Sequence, residues 1–413
     1  MIVNFSVENF RSTRERVTLS FEATKSTDLE EYYVVTPVKG LRLLKMGIIY
    51  GANASGKTTV LQALDFLRTL AVKPLMKKTD KFCYEPFLFD ETSRDKNTFF
   101  VLEFVQNGIK YLYELELNKY AVLNEALYYF NPNKALVYKR KTDTDKQLTE
   151  INFGSKIKIR KESVLALAGN TLWNNTVIGG YLKTNFESEE LQNVLNWFDK
   201  RLKSLIHPRT RLVPLISEEI DKGTIDKKTL VKILQKADFG ISDIVIKKLS
   251  VNDESTESET IKILLQHSVK HTAYVLSIED ESAGTIRYYG LSGILSMIIN
   301  ERSILTIDEL ESSLHPDLIK HFILTFLVNS KHSQLIVTTH HRELLMEKDI
   351  LRDDVIWFTE KREDSSTDLY SLADFDTSVI RKTSSFYNAY KIGKLGAVPN
   401  IDDYYIEFEN GEN

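Results

Sequence analysis

The octapeptide GANASGKT, residues 51–58, constrains the fold of this 413-residue chain more than any other stretch. It matches the pattern G-x-x-x-x-G-K-[ST], whose glycines let backbone N–H groups curl around an anion without a Cβ in the way. An apolar run, residues 46–50, precedes it, and the apolar residues that follow recur at helical spacing: Val60, Leu61, Leu64 and Leu67. A phosphate-binding loop between a buried strand and a helix predicts an α/β fold.

The loop is expected to bind ATP with Mg²⁺. The helix N-terminus adds partial positive charge, Lys57 reaches the β and γ phosphates, and the Thr58 hydroxyl is a metal ligand. The residues predicted to bind the nucleotide here are Gly51, Ser55, Gly56, Lys57, Thr58 and Thr59.

Two further apolar strands end in polar side chains. The first, in SILTIDELESSLHP, ends at Asp308 and Glu309; the first carboxylate is predicted to hold the Mg²⁺ shell and the second to polarise the attacking water. The second, QLIVTTHH, ends at His340 and His341. From the residues alone, either ring is placed to contact a γ-phosphate.

Changes in periodicity divide the chain into three parts. Residues 1–160 combine the phosphate loop with an antiparallel layer, in which Asn107-Gly108 predicts a hairpin turn. Residues 161–238 have helical spacing and form a predicted insertion. In residues 239–413, a polar run at 252–259 predicts a loop or hairpin tip, and strands then alternate with helices to about residue 345, which implies parallel pairing.

Two Ser-Gly clusters lie in DESAGTIRYYGLSGIL, residues 280–294. The first, Ser282-Ala283-Gly284, follows the strand-like AYVLSIED, and the periodic residues 286–299 after it allow about 21 Å of helix. Free N–H groups at a helix start can bind a phosphate, so Ser282 and Gly284 are the candidates. The second, Leu291-Ser292-Gly293, falls within the helix and predicts close packing of small residues.

Several of these motifs together resemble one family. VNFSVENFRS at the start, the phosphate loop, ESAGT followed by IDELESSLHP, and VTTHHRELL are similar to the ABC-type AAA ATPases of bacterial defence operons, such as RloA, AriA and related abortive-infection proteins. RecF, SMC and OLD ATPase heads are more distant relatives. The resemblance implies a P-loop ABC-type ATPase head, a mixed sheet with an antiparallel β layer, carrying a helical insertion.

The same resemblance implies a homo-oligomer that binds ATP between two subunits. Lys57, Asp308, Glu309 and His340 of one chain would face Ser282 and Gly284 of another, with His340 preferred because Thr-Thr-His resembles the ABC switch motif. Arg11 and Asn53 match phosphate-approaching positions of SMC-like heads. No glutamine clearly matches a Q-loop, and Leu314-His315 departs from the family's aspartate.

Composition excludes some classes of protein and partner. The formal net charge of −4 creates no global attraction to nucleic acid, although basic clusters at 139–146, 156–161 and 200–211 are candidate contacts. No apolar run is long enough to span a membrane, and the N-terminus is no signal peptide, so a cytoplasmic protein is predicted. Cys83, the single cysteine, is predicted to be buried among apolar neighbours.

The predicted function is an ATPase that acts as the sensor or switch of an antiphage system. The chain lacks sustained coiled-coil heptads and a defensible paired-acid nuclease pattern, so any nuclease or toxin activity is assigned to a separate effector. The alternatives are a RecF-like DNA maintenance ATPase and a regulatory module with a purely structural nucleotide.

Overall fold

The computed structural model describes residues 1–237, 239–253, 256–375 and 386–399. Its strands are β1 Ile2–Glu8, β2 Val17–Ser20, β3 Val34–Val38, β4 Leu41–Leu44, β5 Met46–Gly51, β6 Thr98–Gln106, β7 Ile109–Leu117, β8 Val122–Phe130, β9 Lys134–Asp143, β10 Leu148–Phe153, β11 Ile241–Asp253, β12 Thr256–Val269, β13 Thr272–Ser277, β14 Ile304–Ile307, β15 Gln334–Thr338, β16 Ile356–Lys361 and β17 Thr367–Ser371. Its α-helices are α1 Glu30–Tyr33, α2 Lys57–Val72, α3 Glu91–Arg94, α4 Lys161–Asn170, α5 Val177–Tyr181, α6 Glu189–Asn196, α7 Leu212–Asp221, α8 Lys227–Gln235, α9 Ala283–Asn300, α10 Pro316–Asn329 and α11 Phe386–Lys391.

The central sheet has the order β14-β15-β5-β16-β17. Its first four strands run parallel, and β17 is antiparallel to β16. Strand β5 is buried along its whole length, as expected for a sheet covered on both faces. Strand β5, from the N-terminal part of the chain, thus lies between β15 and β16, which come from its C-terminal part.

The antiparallel layer is a seven-stranded sheet with the order β10-β9-β8-β7-β6-β1-β2. The predicted hairpin at Asn107-Gly108 is confirmed: φ is 50° and 76° at the two residues, as a tight turn between twisted strands requires. Gln334, at the start of β15, bonds both the N–H and the C=O of Ile2 and so ties this layer to the parallel sheet.

The prediction of parallel pairing was wrong for the strand before Ser282. Strands β11, β12 and β13 form an antiparallel sheet of their own, because the turn residues Lys270 and His271, with φ of 47° and 67°, fold β13 back on β12. The polar run at 252–259 contains the β11–β12 turn, between Asp253 and Thr256. Residues 254 and 255 at its tip lie outside the described residues.

The second Ser-Gly cluster packs as predicted. A Cβ on Gly290 would lie 2.4 Å from Leu212 Cβ, and one on Gly293 would lie 2.6 Å from Ile216 Cδ1. Helix α7 can therefore approach α9 closely only because these α9 positions lack side chains. This contact joins the helices within residues 161–238 to the body of the chain; residue 238 itself is not described.

The prediction for Cys83 was wrong, because its side chain is exposed. It lies in the connection between α2 and α3, where its neighbours Phe82 and Tyr84 both pack on Phe66 of α2, with ring centroids 6.4 and 5.5 Å away. With both neighbours turned inward, the cysteine faces solvent. None of the helices in the described residues is long and apolar enough to cross a bilayer.

Candidate functional site

The phosphate loop connects the end of β5 to the start of α2. A Cβ on Gly51 would lie 2.6 Å from the Thr359 backbone oxygen, so no other residue fits against β16 there. Gly56 has a φ of 100°, and a Cβ on it would meet Thr367 Oγ1 at 2.0 Å. Both glycines are thus required by close backbone approach, and Gly56 also by its left-handed conformation.

Hydroxyl groups of neighbouring segments form hydrogen bonds with the loop and with one another. Ser55 Oγ lies 2.6 Å from Thr359 Oγ1, and Thr367 Oγ1 donates to the Ser55 carbonyl at 3.0 Å. Ser12 Oγ lies 2.8 Å from both Thr367 Oγ1 and Thr59 Oγ1. The sequence analysis missed Ser12, Thr359 and Thr367; they come from the N-terminal segment and two late strands, and only folding brings them together.

Lys57 lies over the loop, with its Nζ donating to the carbonyls of Gly51 at 3.0 Å and Ala52 at 2.9 Å. Burial lowers the pKa of its ammonium to about 8, while the carboxylates of Glu311, Asp308 and Glu309 oppose that shift. The ammonium is thus a partly desolvated cation without a direct carboxylate hydrogen bond among the described residues. Such a group is well suited to binding a polyphosphate.

Asp308 meets the loop directly. Its Oδ1 and Oδ2 lie 3.0 and 3.1 Å from the Thr58 hydroxyl, and the side chain is almost fully buried. The parallel strands β5 and β14 both end at this edge of the sheet, which is why residues 250 positions apart meet. Hydroxyl and carboxylate oxygens are ligands that Mg²⁺ accepts, so the pair fits the predicted metal role.

Thr338, the last residue of β15, organises the carboxylates. Its hydroxyl donates to Asp308 Oδ1 at 2.7 Å and accepts the backbone N–H of Glu309 at 2.8 Å. Glu309 adopts a φ of 47°, an uncommon conformation for this residue type, and its side chain is partly exposed. Its carboxylate is close enough to the loop for its charge to raise the pKa of Lys57.

His340 is linked to this site by Glu311, a residue that the sequence analysis missed. Glu311 Oε1 accepts the His340 backbone N–H at 2.6 Å, while Oε2 is buried without a hydrogen-bond partner among the described residues. Burial lowers the pKa of the His340 ring and the charge of Lys57 lowers it further, against the opposing charges of nearby carboxylates, which favours the neutral ring. The Nδ1 atom of His341 lies 3.0 Å from Glu343 Oε2.

Ser282 caps helix α9 as predicted. Its hydroxyl accepts the N–H of Thr285 at 3.1 Å, and Ser282 and Ala283 are exposed. A Cβ on Gly284 would lie 3.0 Å from the Ser313 carbonyl, so the helix start packs beside the segment that follows Asp308 and Glu309. No hydrogen bond in the described ranges joins Ser282 or Gly284 to the phosphate loop of the same chain.

The remaining predicted residues lie around the loop. Asn53 is exposed at its tip, next to Ala54, whose φ is 60°. Arg11 is exposed and left-handed, with a φ of 51°, and its N–H donates to the Glu85 carbonyl at 2.8 Å. Since the next residue, Ser12, touches Thr59, the Arg11 backbone lies near the first turn of α2.

Metal-binding chemistry elsewhere is sparse. The described residues contain no cluster of three or more His, Cys, Asp or Glu side chains that could hold an ion. The Thr58–Asp308 pair needs no such cluster, because Mg²⁺ keeps several waters and takes further oxygens from a nucleotide.

One known protein family matches more than half of the chain. The family described as "AAA domain, putative AbiEii toxin, Type IV TA system" matches residues 48–347. No curated protein sequence matches the chain.

Solved structures provide distant neighbours. An SMC head bound to the C-terminal winged-helix domain of ScpA has 14% identity and a TM-score of 0.44, with 90% of this chain and 97% of that chain covered. The SMC head domain from Thermotoga maritima has 14% identity and a TM-score of 0.42, covering 90% and 98%. An SMC head with an extended coiled coil, bound to the C-terminal domain of ScpA derived from Pyrococcus furiosus, has 14% identity and a TM-score of 0.41, covering 95% and 98%.

Proposed function

The chain belongs to the AAA-domain family described in terms of an AbiEii toxin and a type IV toxin–antitoxin system, and from this membership we propose that it is an ATP-hydrolysing switch in an antiphage system. The observation that carries the ATPase part is the meeting of Thr58 and Asp308 at about 3 Å, beside Lys57. The antiphage part is supported by the family description and by the sequence resemblance.

Within one chain, the residues divide the work of binding and hydrolysis. The loop N–H groups and Lys57 bind the β and γ phosphates, and Thr58 with Asp308 would hold Mg²⁺. The metal, when bound, neutralises charge that develops on the phosphates. Glu309 accepts a proton from the attacking water, and the neutral His340 ring can donate a hydrogen bond to the γ-phosphate.

A second copy supplies the groups that the first lacks. Ser282 and Ala283 are exposed and Gly284 is half-buried at the start of an 18-residue helix, where free N–H groups and the helix dipole favour an anion. We place them against the triphosphate of a neighbouring chain, in an ATP-dependent homodimer. In this proposal the ATPase head consists of residues 1–160 and 239–413, and the helical insertion consists of residues 161–238. A separate cytoplasmic effector responds to whether the dimer is assembled.

Two variants test the assignment. Lys57→Ala should abolish ATP binding, since it removes the cation over the loop. Glu309→Gln should bind ATP and remain dimeric, while turnover falls by about a hundredfold or more. Binding is measured with a fluorescent ATP analogue, assembly by analytical ultracentrifugation and turnover by phosphate release.

Parental turnover in both variants would refute the site. Strong stimulation of turnover by duplex DNA, with a steep salt dependence of binding, would instead favour a RecF-like DNA maintenance role.

A further inference from the structure

Strand β13 is an unprotected edge. It is the outer strand of the β11-β12-β13 sheet, and Thr272 to Leu276 are all exposed. Its large apolar side chains are open to solvent: Tyr274 is 54% exposed, Val275 48% and Leu276 46%. These side chains point alternately to the two faces of the sheet, so neither face of this strand is covered.

Two other sheet edges in the described residues carry protection that β13 lacks. The edge strand β14 is covered by the segment around residues 202–206, with Lys203 N–H bonded to the Ile304 carbonyl and Ile206 N–H to the Thr306 carbonyl. Strand β10 carries Glu150 on its exposed edge. Strand β13, TAYVLS, has no charge, proline or glycine, and exposed edges of this kind pair with another strand.

We infer that β13 pairs antiparallel with β13 of a second copy of this chain, joining two three-stranded sheets into one of six strands. The charges at its two ends identify the occupant. The turn before β13 carries Lys270 and His271, and the turn after it carries Glu279 and Asp280, all four exposed. A two-fold axis reverses one strand on the other, so each basic turn lies against the partner's acidic turn.

The symmetry also restricts the register, and centring the contact on the exposed apolar run Tyr274–Leu276 places Val275 on the axis. Identical strands related by a two-fold axis must place one residue opposite its own copy, because only residues of the same orientation share a hydrogen-bonded position. With Val275 on the axis, Tyr274 faces Leu276 of the second copy, and the turn that carries Lys270 lies beside that copy's 3-10 helix Ile278–Asp280. This register gives two aromatic–aliphatic pairs and brings each basic turn near an acidic segment of opposite charge.

This interface differs from the ATP-dependent one and does not need nucleotide. The same sheet nevertheless contacts the segment that precedes helix α9, because His267 of β12 lies 2.7 Å from Glu281, directly before Ser282. A chain that uses both surfaces would link ATP-bound dimers into larger assemblies. The His267–Glu281 contact is then the place where assembly through β13 and nucleotide binding at Ser282 would influence each other.

The test uses the full-length chain in a Lys57→Ala background, where the nucleotide-dependent contact is absent. Sedimentation should show a dimer. Val275→Lys, which places two lysines face to face on the axis, should raise the dissociation constant about tenfold or more. Leu165→Lys, at a 73% exposed position on α4, is the matched control and should leave it unchanged. Thermal melts confirm that each variant folds.

A charge exchange identifies the partner as a second copy. Lys270→Glu and Asp280→Lys should each weaken the dimer, and the double variant should restore it, because the two segments then carry opposite charges again, with reversed sign. A monomeric Lys57→Ala protein at high micromolar concentration would overturn the inference. The inference would also be overturned if the double variant dimerised as weakly as the single variants, since a different partner or a different register would then pair with β13. Neither result affects the ATPase assignment, which Lys57→Ala and Glu309→Gln test separately.

Discussion

Glu311 gives the clearest residue-level lesson. One of its oxygens accepts the His340 backbone N–H, and its charge acts on Lys57, so it connects the lysine of the phosphate loop to the strand end that carries the histidine. Its Oε2 is buried without a hydrogen-bond partner among the described residues, and the proposed triphosphate would add negative charge in its vicinity. Glu311 is therefore a positioning residue whose two contributions, hydrogen bonding and charge, can be separated by mutation.

Glu311→Gln keeps an oxygen for the His340 N–H but removes the negative charge. We expect it to bind ATP more tightly and to retain its turnover number. Glu311→Ala also loses the hydrogen bond, and its turnover number should fall by about tenfold. The dissociation constant of a fluorescent ATP analogue and the steady-state kcat check the two effects, and equal kcat values in the two variants would contradict the positioning role.

Among the elements, helix α9 shows how small residues set packing. Its Ser-Gly cluster resembles a phosphate-binding motif in composition, yet a helix interior has no free N–H groups, and the glycines face α7 instead. The Ser-Gly cluster that begins the helix has the free groups. Position within the element, rather than residue type, separates the two roles.

Glycine-to-alanine changes test this packing with opposite signs. Gly293→Ala should destabilise the fold by about 1–3 kcal/mol, because the new Cβ would meet Ile216. Gly169→Ala in α4, where a Cβ would meet nothing within 4 Å, should stabilise it by about 0.5–1 kcal/mol. Urea unfolding monitored by circular dichroism measures both, and equal shifts would contradict close α7–α9 packing.

For the entire chain, the central question is whether the site is completed by a second copy. The phosphate loop and Ser282 share no hydrogen bond within the described part of one chain. If the ATP site is composite, two differently inactivated chains can complement each other, because a mixed dimer contains one site with no altered residue.

The pair to mix is Lys57→Ala with Ser282→Asp. Aspartate still caps α9 but places a negative charge against the partner's triphosphate. Each variant alone should be inactive, whereas an equimolar mixture should recover about a quarter of the parental turnover, since half of the randomly formed dimers carry one intact site of two. Phosphate release measures it, and no recovery in a mixture shown to exchange subunits would exclude a shared site.

Much of the architecture follows from the sequence by itself. The strand–loop–helix around residues 46–72, the antiparallel layer, the Asn107-Gly108 turn and the Ser282 cap each depend on local periodicity or backbone conformation, which neighbouring residues determine. The meeting of Asp308 with Thr58 was also predictable, because parallel strands end at one edge of a sheet.

Tertiary structure decided what depends on distant residues. No local sequence pattern predicts the separate β11-β12-β13 sheet or the hydroxyl groups of Ser12, Thr359 and Thr367 that hydrogen-bond around the loop. The same holds for the hydrogen bond that the His340 N–H donates to Glu311. Cys83 is exposed because its two aromatic neighbours, Phe82 and Tyr84, pack against Phe66. A short sequence motif specifies its own backbone, but which side chains surround it is determined by packing between segments hundreds of residues apart.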